Sequence, residues 1–147
     1  MKEQNLTGKV AVVTGSTQGL GLAIAQLFAE QKAAGLVICG RNAQNGEKAA
    51  ETLKEQGTPT EFVQADLSSV EDCRKVIRKA DQAFGKVDIL VNSAAITDRG
   101  TILDTSEELF DRMFAINTRA PFFLIQEAAK FMIREKIEGA IVNIQSM

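Results

Sequence analysis

The sequence predicts a doubly wound α/β fold, a parallel sheet with helices on both faces. Short β-branched apolar runs alternate along the chain with stretches in which apolar residues recur every three or four positions. This alternation of strands and helices is typical of a parallel sheet with right-handed crossovers. Five strands are expected. Since the 147 residues contain no linker, low-complexity segment or repeat, we expect them to form one unit.

The first strand, predicted over residues 10–13, runs directly into a glycine-rich turn. Gly15, Gly19 and Gly21 permit a tight turn that brings the backbone close to a ligand. The N–H groups and the positive dipole end of the following helix then form a site for a pyrophosphate. The spacing Gly-x-x-x-Gly-x-Gly differs from the common Gly-x-Gly-x-x-Gly fingerprint, and a turn without a ligand is the alternative. The helix is expected to pack on the sheet through Leu20, Ala23, Ile24, Leu27 and Phe28.

The middle of the chain continues the alternation. A strand over residues 35–40 precedes a helix that ends near Gly57, and a third strand covers residues 60–65. The inner face of that helix is expected to consist of Gly46, Ala49, Ala50 and Leu53. A capping box of Ser68 and Glu71 opens the next helix, which Gly85 closes. Its inner stripe is expected to consist of Val70, Cys73, Ile77, Ala80 and Phe84.

The last third carries two helical stretches and two strands. A strand over residues 87–91 ends in Asn-Ser-Ala-Ala, and a second capping box, Thr105 and Glu108, follows. Two helical stretches are expected to meet near Asn117. The second, from Arg119 to Lys136, carries more apolar surface than one face against a sheet requires. We therefore expect this helix to face a partner in a homo-oligomer. A fifth strand is predicted over residues 140–144.

The composition excludes several classes of function. Hydrophobic residues make up 45% and charged residues 24%, as in a globular domain, and the net charge of −2 gives no broad basic surface for nucleic acid. The sequence shows no targeting pattern and no membrane-spanning apolar run, so a cytoplasmic protein without membrane contact is expected. Without any His, neither a His-dependent hydrolase nor a His-ligated metal site is expected. Cys39 and Cys73 are predicted to be buried small hydrophobes, and no metal site is predicted.

Short motifs at successive strand ends together resemble the short-chain dehydrogenase/reductase family. They are Thr14-Gly15-x-x-x-Gly19-x-Gly21, Asp66-Leu67, Asn92-Ser93-Ala94-Ala95, Asn117 and Ile141-Val142-Asn143-Ile144-Gln145-Ser146. The resemblance extends from Gly8 onward. It implies that residues 1–147 are the amino-terminal, dinucleotide-binding part of a single Rossmann-like domain. It also implies an NAD(P)-dependent oxidoreductase that transfers a hydride between the nicotinamide and an alcohol or ketone.

The resemblance implies roles for individual residues. Those expected to contact the cofactor are Gly15, Ser16, Thr17, Gln18, Gly19, Leu20, Gly21, Arg41, Asp66, Leu67, Asn92 and Ala94. Asp66 would bind the adenine amino group, and a carboxylate that only turns the chain is the alternative. The implied catalytic residues are Asn117, which helps to hold a water in a proton relay, and Ser146, which bonds the substrate oxygen. A helix kink at Asn117 and a turn at Ser146 are the alternatives.

The end of the second strand indicates the type of cofactor. Members of the family that prefer NAD usually carry an acidic residue there, whereas this sequence has Gly40 followed by Arg41. A guanidinium can bind a 2′-phosphate through charge-assisted hydrogen bonds, so NADP is favoured, with NAD possible. A solvated surface arginine is the alternative. Gly40→Asp together with Arg41→Ala is expected to reverse the preference.

Two departures from the family pattern affect function. Ala95 stands where the pattern has Gly, and its methyl group is expected to crowd the backbone beside the ribose. The family's proton donor is a Tyr in a Tyr-x-x-x-Lys turn, and the sequence contains no Tyr. We therefore expect the 147 residues to be the amino-terminal part of a longer enzyme and to be inactive alone. A non-catalytic dinucleotide-binding module and an assembly partner are the alternatives.

Overall fold

The computed structural model describes residues 5–98 and 100–145 of the chain. Its sheet has the strand order β3-β2-β1-β4-β5, and every pairing is parallel. The strands are β1 (Val10–Val13), β2 (Gly35–Gly40), β3 (Thr60–Gln64), β4 (Ile89–Asn92) and β5 (Ala140–Asn143). The strand order reverses beside β1, because the chain winds first towards β3 and then towards β5. The predicted doubly wound class is confirmed, and its topological switch point lies between β1 and β4.

Helices cover both faces of the sheet. They are α1 (Gly19–Glu30), α2 (Ala43–Glu55), α3 (Val70–Phe84), α4 (Glu107–Phe114) and α5 (Ala120–Arg134). A π-helical turn, Ala115–Arg119, joins α4 to α5 where two helical stretches were predicted to meet. Val10 and Val12 of β1 pack in the core beneath α3 and α5, and Ala11 packs in the core beneath α1 and α2. A strand buried on both faces explains the unbroken apolar run of β1.

The buried face of α1 differs from the predicted stripe. Gly21, Ala25 and Ala29 are its buried residues, whereas Leu20 and Leu27 are 58% and 51% exposed. The cause is the close approach of the helix start to the preceding turn, where a Cβ on Gly21 would lie 2.3 Å from the Gly15 carbonyl oxygen. Small side chains must therefore face inward, and the larger apolar ones are displaced to the sides. The prediction that centred the stripe on Leu20, Ala23, Ile24, Leu27 and Phe28 is wrong by about one position, although Phe28 is partly buried and packs against the core.

Both predicted capping boxes are also displaced by one residue. The N-cap of α3 is Ser69, whose Oγ accepts the Asp72 N–H at 3.2 Å. The N-cap of α4 is Ser106, whose Oγ accepts the Leu109 N–H at 3.2 Å. Adjacent hydroxyl residues have nearly equal capping preference, so the spacing of an acidic residue did not separate them. The predicted inner face of α2 and the end of α3 at Gly85, which has φ 74°, are confirmed.

The side of the sheet formed by α5 and β5 is less covered than the rest. All four residues of β5 are exposed, and α4 has no buried residue. Apolar side chains of α4 and α5 also face outward; they are Phe110, Phe114, Phe122 and Ile133.

Among the described residues, no helix has the length and apolar character that crossing a membrane requires.

Candidate functional site

The carboxyl ends of the five strands surround a cleft of about 520 Å³ at one edge of the sheet. The structure brings together there ten of the twelve residues that were predicted from the sequence to contact a cofactor. They are Gly15, Thr17, Gln18, Gly19, Leu20, Gly21, Arg41, Asp66, Leu67 and Ala94. Ser16 and Asn92 do not line the cleft. A cleft at this edge is where open α/β sheets bind their ligands.

Gly15 and Gly19 of the turn after β1 share a backbone conformation but differ in the space around them. Gly15 and Gly19 have φ of 61° and 57°, the left-handed region that favours glycine. A Cβ on Gly15 would lie 2.7 Å from the Ala94 Cα, so this glycine also permits two backbones to approach. A Cβ on Gly19 would meet nothing within 4 Å. Since α1 begins at Gly19, its free N–H groups and positive dipole end lie at the cleft.

Ser16 fastens this turn to the end of β2. Its Oγ donates to the Val13 carbonyl at 2.5 Å and accepts the Cys39 N–H at 3.1 Å. The Ser16 N–H donates in turn to the Cys39 carbonyl at 3.2 Å. The buried side chain therefore faces the interior of the protein and sets the position of the turn.

The loop after β4 forms the opposite wall of the cleft. Thr14, which is buried, accepts the N–H groups of Ser93 and Ala94 on its Oγ1, each at 3.1 Å. Thr14 was not among the site residues predicted from the sequence, although it directly precedes the first glycine of the turn. Asn92 is buried behind this loop, and its Nδ2 donates to Asn143 Oδ1 at 2.8 Å, which links β4 to β5. Within the described part of the chain, the buried Asn92 Oδ1 has no hydrogen-bond partner.

Asn117 and Ser146 were predicted to be the catalytic residues. Asn117 lies in the π-helical turn and hydrogen-bonds the backbone of Ile96, which lines the cleft. The Asn117 side chain therefore supports the wall of the cleft, although Asn117 does not itself line it. Ser146 lies outside the described residues.

Asp66 and Arg41 are the charged groups among the described residues that line the cleft. The Asp66 Oδ1 accepts the Ser68 N–H at 3.0 Å and the Ser68 Oγ at 2.8 Å, and Arg112 lies 3.9 Å from Oδ2. The hydrogen bonds from Ser68, with smaller effects of the Arg112 and Arg41 charges, hold the pKa of Asp66 below its usual value. Arg112 comes from α4, and the sequence offered no reason to place it beside Asp66.

The floor of the cleft at the end of β2 is uncharged. Burial raises the pKa of the Cys39 thiol to about 12, so this thiol is neutral at physiological pH. Cys39 and Cys73 are both buried, as predicted. No cluster of His, Cys, Asp and Glu that could hold a metal ion occurs in the described ranges.

The fold and the glycine-rich turn define a Rossmann-like α/β protein, and comparison with known proteins gives its family. Residues 9–147 match the family model described as short chain dehydrogenase. The chain therefore belongs to the short chain dehydrogenase family.

Individual relatives agree with this assignment. An uncharacterized oxidoreductase of Thermotoga maritima is 36% identical over 142 residues, 97% of this chain and 55% of the relative. A metagenomic short-chain oxidoreductase, solved in complex with NADP, matches with a TM-score of 0.89 at 31% identity, over 97% of this chain and 64% of that one. L-Sorbose reductase from Gluconobacter frateurii, solved with NADPH and L-sorbose, matches with a TM-score of 0.91 at 33% identity. The match covers 96% of this chain and 53% of that one. The chain spans about half the length of the curated relatives it matches.

Proposed function

We propose that the protein is an NADP-preferring oxidoreductase acting on a small alcohol or ketone. The observation that carries the proposal is the turn between β1 and α1, where a Cβ on Gly15 or Gly21 would lie under 3 Å from backbone atoms. Glycine alone fits such a turn, and it leaves backbone N–H groups at the start of α1 open to a phosphate. The solved relatives that bind NADP and NADPH support the same ligand for this cleft.

The residues that line the cleft suit the parts of this cofactor. We assign the pyrophosphate to the turn from Gly15 to Gly21, the adenine amino group to Asp66 and the 2′-phosphate to Arg41. The ionised Asp66 carboxylate accepts hydrogen bonds, and the Arg41 guanidinium donates several to a phosphate. NAD lacks the 2′-phosphate and would bind more weakly. When bound, NADP supplies or takes up the hydride that the reaction needs.

The residues of this chain bind and orient, and a further group must move the proton. We propose that Asn117 helps to hold a water near the loop that it supports, and that Ser146 bonds the substrate oxygen. Neither group is a suitable general acid near neutral pH, and the sequence contains no Tyr and no His. We therefore propose that the proton donor belongs to the half of the relatives' length that this chain does not span. The 147 residues alone would bind cofactor without turnover.

The exposed apolar side chains of α4 and α5 support the proposal of a homo-oligomer. The rings of Phe110 and Phe114 pack with their centroids 4.6 Å apart. Phe114 and Phe122 line the same surface depression, and all three side chains are more than half exposed. Exposed aromatic side chains of this kind are enriched at protein interfaces.

The experiment is a titration of NADP and NAD into protein expressed from its complete reading frame. Arg41→Ala is expected to weaken NADP binding about tenfold to a few hundredfold, since it removes charge-assisted hydrogen bonds. Its effect on NAD should be small. Lys54→Ala is the matched control, because it removes a positive charge outside the cleft. Failure of the unaltered protein to bind either cofactor would overturn the proposal, and equal affinity for both would overturn the NADP preference.

A further inference from the structure

We propose that Thr17 determines cofactor specificity, because its side chain occupies the space that any side chain at position 40 would need. This inference rests on the cofactor binding proposed above. It explains how the chain favours NADP at a position where an acidic residue would favour NAD.

The contact between Thr17 and Gly40 is steric. A Cβ built on Gly40 would lie 2.7 Å from both the Cγ2 and the Oγ1 of Thr17 and 3.3 Å from its Cβ. Atoms of real side chains do not approach a Cβ so closely. Gly40 is not among the glycines with positive φ, so the backbone conformation does not require glycine there. Packing against Thr17 is therefore what excludes a side chain at position 40.

The two backbones cannot easily move apart to make room. Ser16, which precedes Thr17, and Cys39, which precedes Gly40, are joined by the two hydrogen bonds described above. On its other side Gly40 is held to the strand beyond, because its carbonyl accepts the Ala65 N–H at 3.1 Å. Thr17 is β-branched and half-buried, which restricts its rotamers. Space for a side chain at position 40 must therefore come from a change of Thr17.

This contact bears on the choice of cofactor because Thr17, Gly40 and Arg41 all line the cleft. Dinucleotide-binding folds select NAD with a carboxylate near this position, which accepts from the ribose hydroxyls, or NADP with a nearby arginine. Thr17 keeps the carboxylate out, and Arg41 remains the charged group at the end of β2. The sequence-based expectation that Gly40→Asp and Arg41→Ala alone reverse the preference omits this contact.

The first experiment measures the affinity for NAD and NADP in three variants of the protein expressed from its complete reading frame. They are Arg41→Ala, Gly40→Asp/Arg41→Ala, and Thr17→Ala/Gly40→Asp/Arg41→Ala. The double variant should bind NAD no better than Arg41→Ala does. The triple variant should bind NAD at least about tenfold more tightly than the double variant, a coupling of ordinary size for residues in contact. Equal NAD affinity of the double and triple variants would overturn the proposal.

The second experiment needs no cofactor and uses smaller changes. The free energies of unfolding of the unaltered protein, Thr17→Ala, Gly40→Ala and Thr17→Ala/Gly40→Ala form a double-mutant cycle. Gly40→Ala should destabilise the protein less when residue 17 is Ala. If the protein binds NADP but the two changes are additive, the role of Thr17 is refuted and the proposed function stands. If the unaltered protein binds neither cofactor, the proposed function fails, and the specificity role fails with it even where the cycle shows coupling.

Discussion

Asn117 and Ile96 exchange two hydrogen bonds, one in each direction. The Asn117 Oδ1 accepts the Ile96 N–H at 2.9 Å, and its Nδ2 donates to the Ile96 carbonyl at 2.8 Å. The side-chain amide thus pairs with the backbone of Ile96 much as a neighbouring strand would. The π-helical turn places Asn117 there, in agreement with the frequent occurrence of π-bulges at functional sites. Thr14 and Asn117 therefore hold the first residues of the loop after β4, Thr14 at Ser93 and Ala94 and Asn117 at Ile96.

Asn117→Ala is expected to loosen this loop. Because two hydrogen bonds are lost at an exposed residue, we expect the free energy of unfolding to fall by only about 1 kcal/mol. Amide hydrogen exchange at Ile96 should become faster, and cofactor affinity should fall. Thr118→Ala, an exposed neighbour in the same turn, is the control and should change neither property. Unchanged exchange at Ile96 in Asn117→Ala would contradict the role we give to this pair.

Gly21→Ala and Gly19→Ala should lower the free energy of unfolding by different amounts and for different reasons. The methyl group at position 21 would meet the Gly15 carbonyl oxygen at 2.3 Å and could be accommodated only by shifting the backbone, which overpacking data put at about 1–3 kcal/mol or more. At position 19 the space is open, and the cost is that of a left-handed residue, about 1–2 kcal/mol. Urea unfolding and cofactor titration measure both effects. Loss of cofactor binding should be complete only for Gly21→Ala, and equal binding by the two variants would count against the geometry of the turn.

The affinity for the cofactor should fall in acid with a midpoint set by Asp66. The pKa of Asp66 is lowered from its usual value of 3.8, chiefly by hydrogen bonds from Ser68. The carboxylate should therefore contribute to cofactor affinity above pH 3.8, and this contribution should be lost as the pH falls through the lowered pKa. Ser68→Ala removes one of these bonds and should move the acid midpoint to higher pH. Asp66→Asn should remove the acid transition and weaken binding at neutral pH. An identical acid midpoint in Ser68→Ala would show that this hydrogen bond does not control Asp66.

Glu127, a buried carboxylate of α5, joins this helix to α3 through its ion pair with Arg78. Its Oε1 accepts Arg78 Nε at 3.3 Å, and its Oε2 accepts Lys130 Nζ at 3.1 Å. Burial acts to raise the pKa of Glu127, but the hydrogen bonds from Lys130 and Arg78 outweigh it and lower the pKa below 4.5. Arg78→Ala should lower the free energy of unfolding, since it leaves the buried Glu127 carboxylate with one partner fewer.

Lys130→Ala is the matched comparison, because Lys130 is the other cation paired with Glu127. Lys130 lies on the same helix as Glu127 and is more exposed than Arg78, so its loss should cost less. The loss of stability in both variants should diminish as the pH falls through the lowered pKa of Glu127 in the folded protein, because a neutral carboxyl needs no cation. Denaturant unfolding at neutral and acid pH measures this, and equal losses in the two variants would contradict the role of Arg78 as a link between helices.

Local patterns were sufficient to predict the order of the elements and the position of the glycine-rich turn. A strand buried on both faces needs an unbroken apolar run, and a left-handed turn residue needs glycine, so each leaves its mark within a few neighbouring residues. The inner face of α2 was predicted because its small and apolar residues recur every three or four positions. Local patterns did not suffice where adjacent residues cap a helix equally well, or where close packing of backbones selects small side chains. Ser69 rather than Ser68 caps α3, and small rather than large apolar residues of α1 face the sheet.

Residues close together in the sequence were therefore enough to predict the class of fold, the glycine-rich turn and a charged group, Arg41, at the end of β2. They were not enough to predict which side chains meet at the cleft. Arg112 beside Asp66, Asn117 on Ile96 and Thr17 against Gly40 each join residues from different elements. Parallel pairing brings the carboxyl ends of β1 to β4 to one edge of the sheet, where the loops and helices that follow them also meet. Contacts at that edge depend on how closely the backbones pack, and the spacing of residues along the chain carries no measure of that distance.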